Sequence, residues 1–134
     1  MGASFFQELE VWKKAHALVL GVYGVTASFP TDERFGLTSQ LRRAMVSVPA
    51  NIAEGFIKRS KSDKARFYNI AQGSLEECRY YFILARDLGF ADTGKLAKDA
   101  EEVSRMLQAY SAAVLASRFR PNYLLSTIMA WLTL

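Results

Sequence analysis

Cysteine and histidine each occur once, as Cys78 and His16. No internal disulfide and no CxxC redox or zinc site can therefore form. A di-iron bundle, which needs repeated Glu-x-x-His pairs facing inward, is excluded as well. So is the Arg…His motif of helical ribonucleases, because no arginine precedes His16. A Cys–His nucleophile pair would have to be these two residues. Both fall on apolar helical seams, where a thiol is usually inert. Cys78 is thus read as core, and His16 as a hydrogen-bonded core or interface residue. HExxH, GxxxxGK[ST] and GxGxxG are missing, so no catalytic residues, metal or cofactor are expected and the chain is read as not an enzyme. Prolines number only three, too few for a turn-rich β protein. The opening "MGASFFQELEVWKK" lacks a basic segment followed by an apolar run, so no secretory signal is expected and a cytoplasmic location is the default.

What is present is globular in composition: 134 residues, 51% hydrophobic and 22% charged. This is enough for one domain with a real core. The net charge is +4, and it is unevenly placed. Between Phe56 and Phe67, Lys58, Arg59, Lys61, Lys64 and Arg66 face only Asp63. That segment alone carries the whole excess, leaving the remainder neutral. A local basic cluster on a neutral scaffold points to an anionic partner.

Four helical patterns run along the chain. The first spans about Gln7 to Ser28, with Val11, Ala15, Leu18, Val22, Val25 and Phe29 on one seam. Leu9, Trp12, His16, Val19, Tyr23 and Thr26 form an adjacent seam. Ala17, Gly21, Gly24 and Ser28 make a third stripe of small residues. This stripe suits either tight packing inside the bundle or a subunit contact. "FPTDERFG" breaks the pattern, and its Thr31, Asp32 and Glu33 suit a helix N-terminus. The second helix shows Leu37, Leu41, Met45, Val48, Ile52 and Phe56. The register is the same on both sides of Pro49, so the proline is expected to kink the helix without stopping it, at ~3 kcal/mol. The end is expected near Gly55 to Lys58. Asn51 beside this face is read as structural, bonding to another helix or to the bent backbone.

The third helix is expected to start after "KRSKSD", with Ser60 or Ser62 as cap and an S-x-x-D spacing from Ser60 to Asp63. Its stripe is Phe67, Ala71, Ser74, Cys78, Tyr81, Ala85 and Leu88, widened by Tyr68, Leu75 and Phe82. Gly89 is the expected stop. The fourth helix, about Thr93 to Ser117, carries Leu96, Ala100, Val103, Leu107, Tyr110 and Val114. Short connections make neighbours antiparallel. The expected fold is all-α: an antiparallel up-down-up-down four-helix bundle over residues 1–120. Residues 121–134 form an apolar tail whose "NYLLSTIMAWLTL" is uncharged. It falls short of the ~20 residues needed to cross a bilayer. A short C-terminal fifth helix is expected there, packing on the bundle or on another subunit. Membrane contact and a non-native extension are the minor readings.

"LEVWKKAHAL", "FPTDERFGLTSQLRRAMVSVPANIAEGF" and "FYNIAQGSLEE" resemble the bacterial four-helix-bundle proteins encoded in intervening sequences of 23S ribosomal RNA genes. The similarity covers roughly Phe5 to Gly89, and Pro49 lies within its most specific run. The resemblance implies a bundle that assembles into a homopentameric ring. It also implies kinship with accessory proteins of diversity-generating retroelements, which form basic pentamers and bind reverse transcriptase and nucleic acid. It supplies no catalytic residues. The apolar tail departs from the short, polar end expected of that family.

These readings converge on a non-enzymatic, oligomeric protein associated with RNA or other nucleic acid. The candidate nucleic-acid-binding residues are Lys58, Arg59, Lys61, Lys64 and Arg66, extended by Arg42 and Arg43, with Lys13 and Lys14 as further contributors. Phe56, Phe67 and Tyr68 are interleaved with them and suit base stacking. The plainer reading is a solvated loop with its aromatics in the core. Ala17, Gly21, Gly24 and Ser28 are the candidate oligomer interface. The rival function is a protein-interaction scaffold, such as an accessory subunit of a polymerase or reverse transcriptase.

Overall fold

The computed structural model describes residues 2–117. The expected fifth helix and the boundary between residues 120 and 121 lie outside them. Among the described residues there are four α-helices and no strand. They are α1 (Glu10–Thr26), α2 (Leu37–Ile57), α3 (Lys61–Asp87) and α4 (Gly94–Ala116). Each packs on its neighbour in sequence, and α4 closes back on α1, while the diagonal pairs do not meet. This is the expected up-down-up-down bundle, and α2 and α3 share its most extensive contact.

The core follows the seams. Ala15, Val22, Leu41, Met45, Val48, Ile52, Leu75, Cys78, Phe82, Ala100 and Leu107 are buried in one cluster. Helix α2 runs unbroken through Pro49, whose ring is itself buried. Burial on both sides of the ring, at Met45 and Val48 before it and Ile52 and Phe56 after it, offsets the lost backbone bond. Asn51 donates to the Ser47 carbonyl at 2.8 Å and to its hydroxyl at 2.9 Å, and that hydroxyl meets Ser74 of α3 at 2.9 Å. The asparagine thus ties both α2 backbone and, through Ser47, the facing helix.

Three boundaries or faces differ from expectation. Phe6–Glu8 forms a separate 3-10 turn, so α1 begins at Glu10. Thr31–Glu33 is likewise a 3-10 turn rather than the opening of α2. It serves α2 from outside, because the Glu33 carboxylate accepts the Leu37 N–H at 2.9 Å, satisfying one orphan donor of the first turn. On α3 the buried line is Tyr68, Ala71, Leu75, Cys78, Phe82 and Ala85. Phe67, Ser74 and Tyr81 are half-buried and Leu88 is exposed. The widening residues turned out to be the centre, because α3 is gripped between α2 and α4 and both partners claim its far side.

The connections match their chemistry. The Ser60 hydroxyl accepts the Asp63 N–H at 3.1 Å, capping α3 as expected. Gly89 has φ +75°. The Phe90 N–H reaches the Ala85 carbonyl and the Gly89 N–H the Arg86 carbonyl, the bond pair of a Schellman stop. Thr93 is buried and donates to the Phe82 carbonyl at 2.6 Å, fixing the α3–α4 turn to the core.

Candidate nucleic-acid interface

The elbow between α2 and α3 is built from a close approach. Gly55 lies against the Tyr68 ring, where an added Cβ would sit 2.4 Å from its Cε1. Tyr68 in turn meets Tyr110 of α4 edge-on, with ring centroids 5.3 Å apart and hydroxyls at 3.3 Å. The rest of the elbow is tied by Lys64. Its ammonium donates to the carbonyls of Gly55 at 3.0 Å and Phe56 at 2.8 Å. These carbonyls end α2, where orphan acceptors and the negative end of the helix dipole gather.

Lys64 therefore leaves the candidate binding set. It is buried, and that burial lowers its ammonium from 10.5 to about 8. The basic run in the sequence holds two kinds of lysine. One closes a helix from inside, while the others line the outer side of the elbow. Lys58 lies over the Phe67 ring at 5.0 Å and Arg66 over the same ring at 4.7 Å. Arg59 and Arg66 are exposed, and Lys58 and Lys61 half-exposed. Among the described residues Lys58, Arg59 and Lys61 form no ion pair, and Arg66 has only Asp63 at 3.9 Å. Such exposed pairs are weak, so the elbow keeps most of its positive charge. Of the interleaved aromatics, Phe56 and Tyr68 are buried and only Phe67 reaches the surface.

Arg42 and Arg43 are not brought to this corner. They sit sixteen residues earlier on α2 than Lys58 and Arg59, which is ~24 Å along the helix axis. Arg42 is anchored there: its Nε donates to the Thr26 hydroxyl at 2.8 Å and its guanidinium lies 4.6 Å from the Tyr23 ring centre. Together with Arg34, Phe35, Thr38 and Ser39, these residues line an open groove of about 400 Å³. Arg34 stacks on Phe35 at 5.2 Å, and Phe35 is 86% exposed. In the sequence Arg34 and Phe35 lie in the "FPTDERFG" break between two helical patterns. The available signal was a phenylalanine lying outside every helical seam. Lys13 and Lys14 do not extend the basic surface, because they pair with Glu10 at 3.2 Å and Glu102 at 2.7 Å.

The small-residue stripe divides. Gly21 is used inside the bundle, since a Cβ there would meet Leu96 of α4 at 2.8 Å. Ala17, Gly24 and Ser28 are exposed, and among the described residues outside its own turn of helix nothing lies within 4 Å of a Cβ built on Gly24. His16 is not a core residue; it is exposed and stacks on Trp12, 5.0 Å between centroids and 10° between planes. Its seam lies at the edge of the buried face of α1: Leu9, Val19 and Thr26 on it are buried and Trp12 packs against the core, while His16 and Tyr23 face out. Cys78 is buried as expected, and burial pushes its thiol up to about 12. No metal-competent group of three or more His, Cys, Asp and Glu exists among the described residues. None of the described helices is long and apolar enough to cross a membrane.

Fold and surface together define an all-α four-helix bundle with a positively charged elbow. The model of the 23S rRNA-intervening sequence protein family matches residues 7–109, and the chain belongs to that family. A solved structure from Bacteroides thetaiotaomicron VPI-5482, a protein with unknown function from the S23 ribosomal protein family, shares the fold. Its TM-score is 0.70 at 20% identity, over 76% of this chain and 95% of that one. No curated protein matches.

Proposed function

We propose that this member of the family is a non-enzymatic, oligomeric, cytoplasmic protein that associates with RNA or other nucleic acid through the α2–α3 elbow. The observation that carries the reading is the uncompensated charge of Lys58, Arg59 and Lys61 on a stapled corner, with Arg66 and Phe67 beside them. Phosphate neutralisation by such a patch releases counterions and gives binding that falls steeply with salt. A homopentameric ring, which the family resemblance implies, repeats the elbow five-fold and sums its field. Ala17, Gly24 and Ser28 offer a surface for the neighbouring subunit.

The test is RNA affinity at two salt concentrations for the parent and for a variant with Lys58, Arg59 and Lys61 changed to glutamine. The parent should bind and weaken with salt, and the variant should bind less with a shallower salt slope. Affinity indifferent to both changes would count against the elbow.

A second reading, a scaffold or accessory subunit for a nucleic-acid enzyme such as a reverse transcriptase, is favoured by the exposed apolar side chains of α3, Ile70, Tyr80 and Ile83. Binding to a purified polymerase that survives nuclease treatment distinguishes it, because a nucleic-acid bridge would not.

A further inference from the structure

We infer that the groove at the other end of α2 is a stacking site for one unpaired nucleotide of a single strand. Arg34, Arg42 and Arg43 take the phosphate there, and Phe35 takes the base. This rests on the nucleic-acid reading above and gives it a second, chemically different contact.

Three features support the assignment. The first is charge. The groove's lining of Tyr23, Arg34, Phe35, Thr38, Ser39, Arg42 and Arg43 contains three guanidinium groups and no carboxylate. None of the three arginines forms an ion pair among the described residues, whereas most of the other arginines do. On the adjoining turn the Glu33 carboxylate is held by the Leu37 N–H at 2.9 Å and does not line the groove. Asp32 is exposed on that turn and does not line the groove.

The second is preorganisation. Arg42 is held by the Thr26 hydroxyl and the Tyr23 ring, so its remaining donors are aimed before a ligand arrives. Thr26 is itself buried and fixed by donating to the Val22 carbonyl at 2.6 Å. An oriented guanidinium binds phosphate with less entropy lost than a free one.

The third is the aromatic surface. Phe35 is the most exposed large apolar side chain among those described, at 86%. It packs into no part of the core, and its contact with Arg34 gives a cation–aromatic platform of the sort on which bases stack. A volume of about 400 Å³ suits a small ligand such as a nucleotide. In a duplex the base faces are already stacked, which is why the ligand is a single strand.

The experiment compares a short single-stranded RNA carrying one 2-aminopurine with the same sequence as a duplex. Each is titrated onto the full chain, the Phe35→Ala variant, the Arg43→Ala variant and the Lys58/Arg59/Lys61 glutamine variant. Phe35 is outside the core, so its replacement leaves folding intact. Phe35→Ala should weaken the single strand about ten-fold, remove the fluorescence change that stacking produces, and leave duplex affinity unchanged. Arg43→Ala should weaken both probes and reduce the salt slope by about one. The glutamine variant should weaken both probes but keep the fluorescence change. Unchanged single-strand affinity in Phe35→Ala, with the parent binding RNA, overturns the groove and leaves the elbow standing. A parent that binds neither probe overturns both. If Phe35→Ala instead lowers the molar mass by light scattering, the groove is a subunit contact and the inference fails.

Discussion

Replacing Lys64 by methionine tests the elbow most directly. The substitution keeps an unbranched apolar stem of similar length and removes the ammonium. The Phe56 carbonyl then loses its donor and the Gly55 carbonyl keeps only the Lys58 N–H at 3.3 Å; two hydrogen bonds from a charged group are lost, at ~1.5–3 kcal/mol each, about 4 kcal/mol together. Against this, the variant no longer buries a charge. Lowering the ammonium from 10.5 to about 8 corresponds to a cost of about 3 kcal/mol at pH 7, which methionine recovers. The net loss at pH 7 is therefore only about 1 kcal/mol. The pH dependence separates this account from simple loss of packing. Between about 8 and 10.5 the unfolded chain holds the Lys64 proton and the folded chain does not, so stability rises with pH. The contribution is fully present above 10.5 and lost as pH falls through about 8. From pH 7 to 9 the parent should gain about 1 kcal/mol from this group and the variant nothing, widening the gap to about 2 kcal/mol. Titration of the unfolded Cys78 thiol is common to both chains and cancels. Urea unfolding followed by far-ultraviolet circular dichroism at pH 7, 8 and 9 measures the gap. A gap that stays constant or narrows as pH rises would refute the claim that burial destabilises the charged form.

Two further outcomes follow from the packing. Gly55→Ala places a methyl 2.4 Å from the Tyr68 ring with Phe67 close behind, so it should destabilise by ~1–3 kcal/mol in chemical denaturation through forced separation of α2 and α3. A variant as stable as the parent would mean the helices are not in that contact. Cys78, buried with its thiol pushed up to about 12, should react with a disulfide reagent at pH 8 only as fast as the bundle opens. Immediate reaction in native buffer would show an accessible thiol.

How much of this was legible in the chain depends on the range of the physics involved. Apolar periodicity is a local property, so the four helices, the passage through Pro49, the Ser60 cap and the Gly89 stop could all be read from neighbouring residues. The site was only half legible. Sequence recorded five cations in one stretch, yet helical geometry turns Lys64 inward onto the end of α2 and leaves Lys58, Arg59 and Lys61 outside. Arg42 and Arg43 extend the same patch in charge count alone, because the length of α2 separates them from it. They join instead with Arg34 and Phe35 from the turn before α2. His16 shared a seam with buried residues, but that seam straddles the edge of the core: Leu9, Val19 and Thr26 are buried while His16 faces out, and only the packing of α1 on α2 and α4 could place that edge.

The sequence alone determined that this chain forms four amphipathic helices in antiparallel order and concentrates its excess charge in one segment, because periodicity, capping and charge count involve residues near one another in the chain. Tertiary structure alone decided which cation would be buried, which small residue would meet a neighbouring helix and where an arginine–aromatic groove would open. Those outcomes depend on the rotation of each helix about its axis, and that rotation is set by packing against partners far away in sequence.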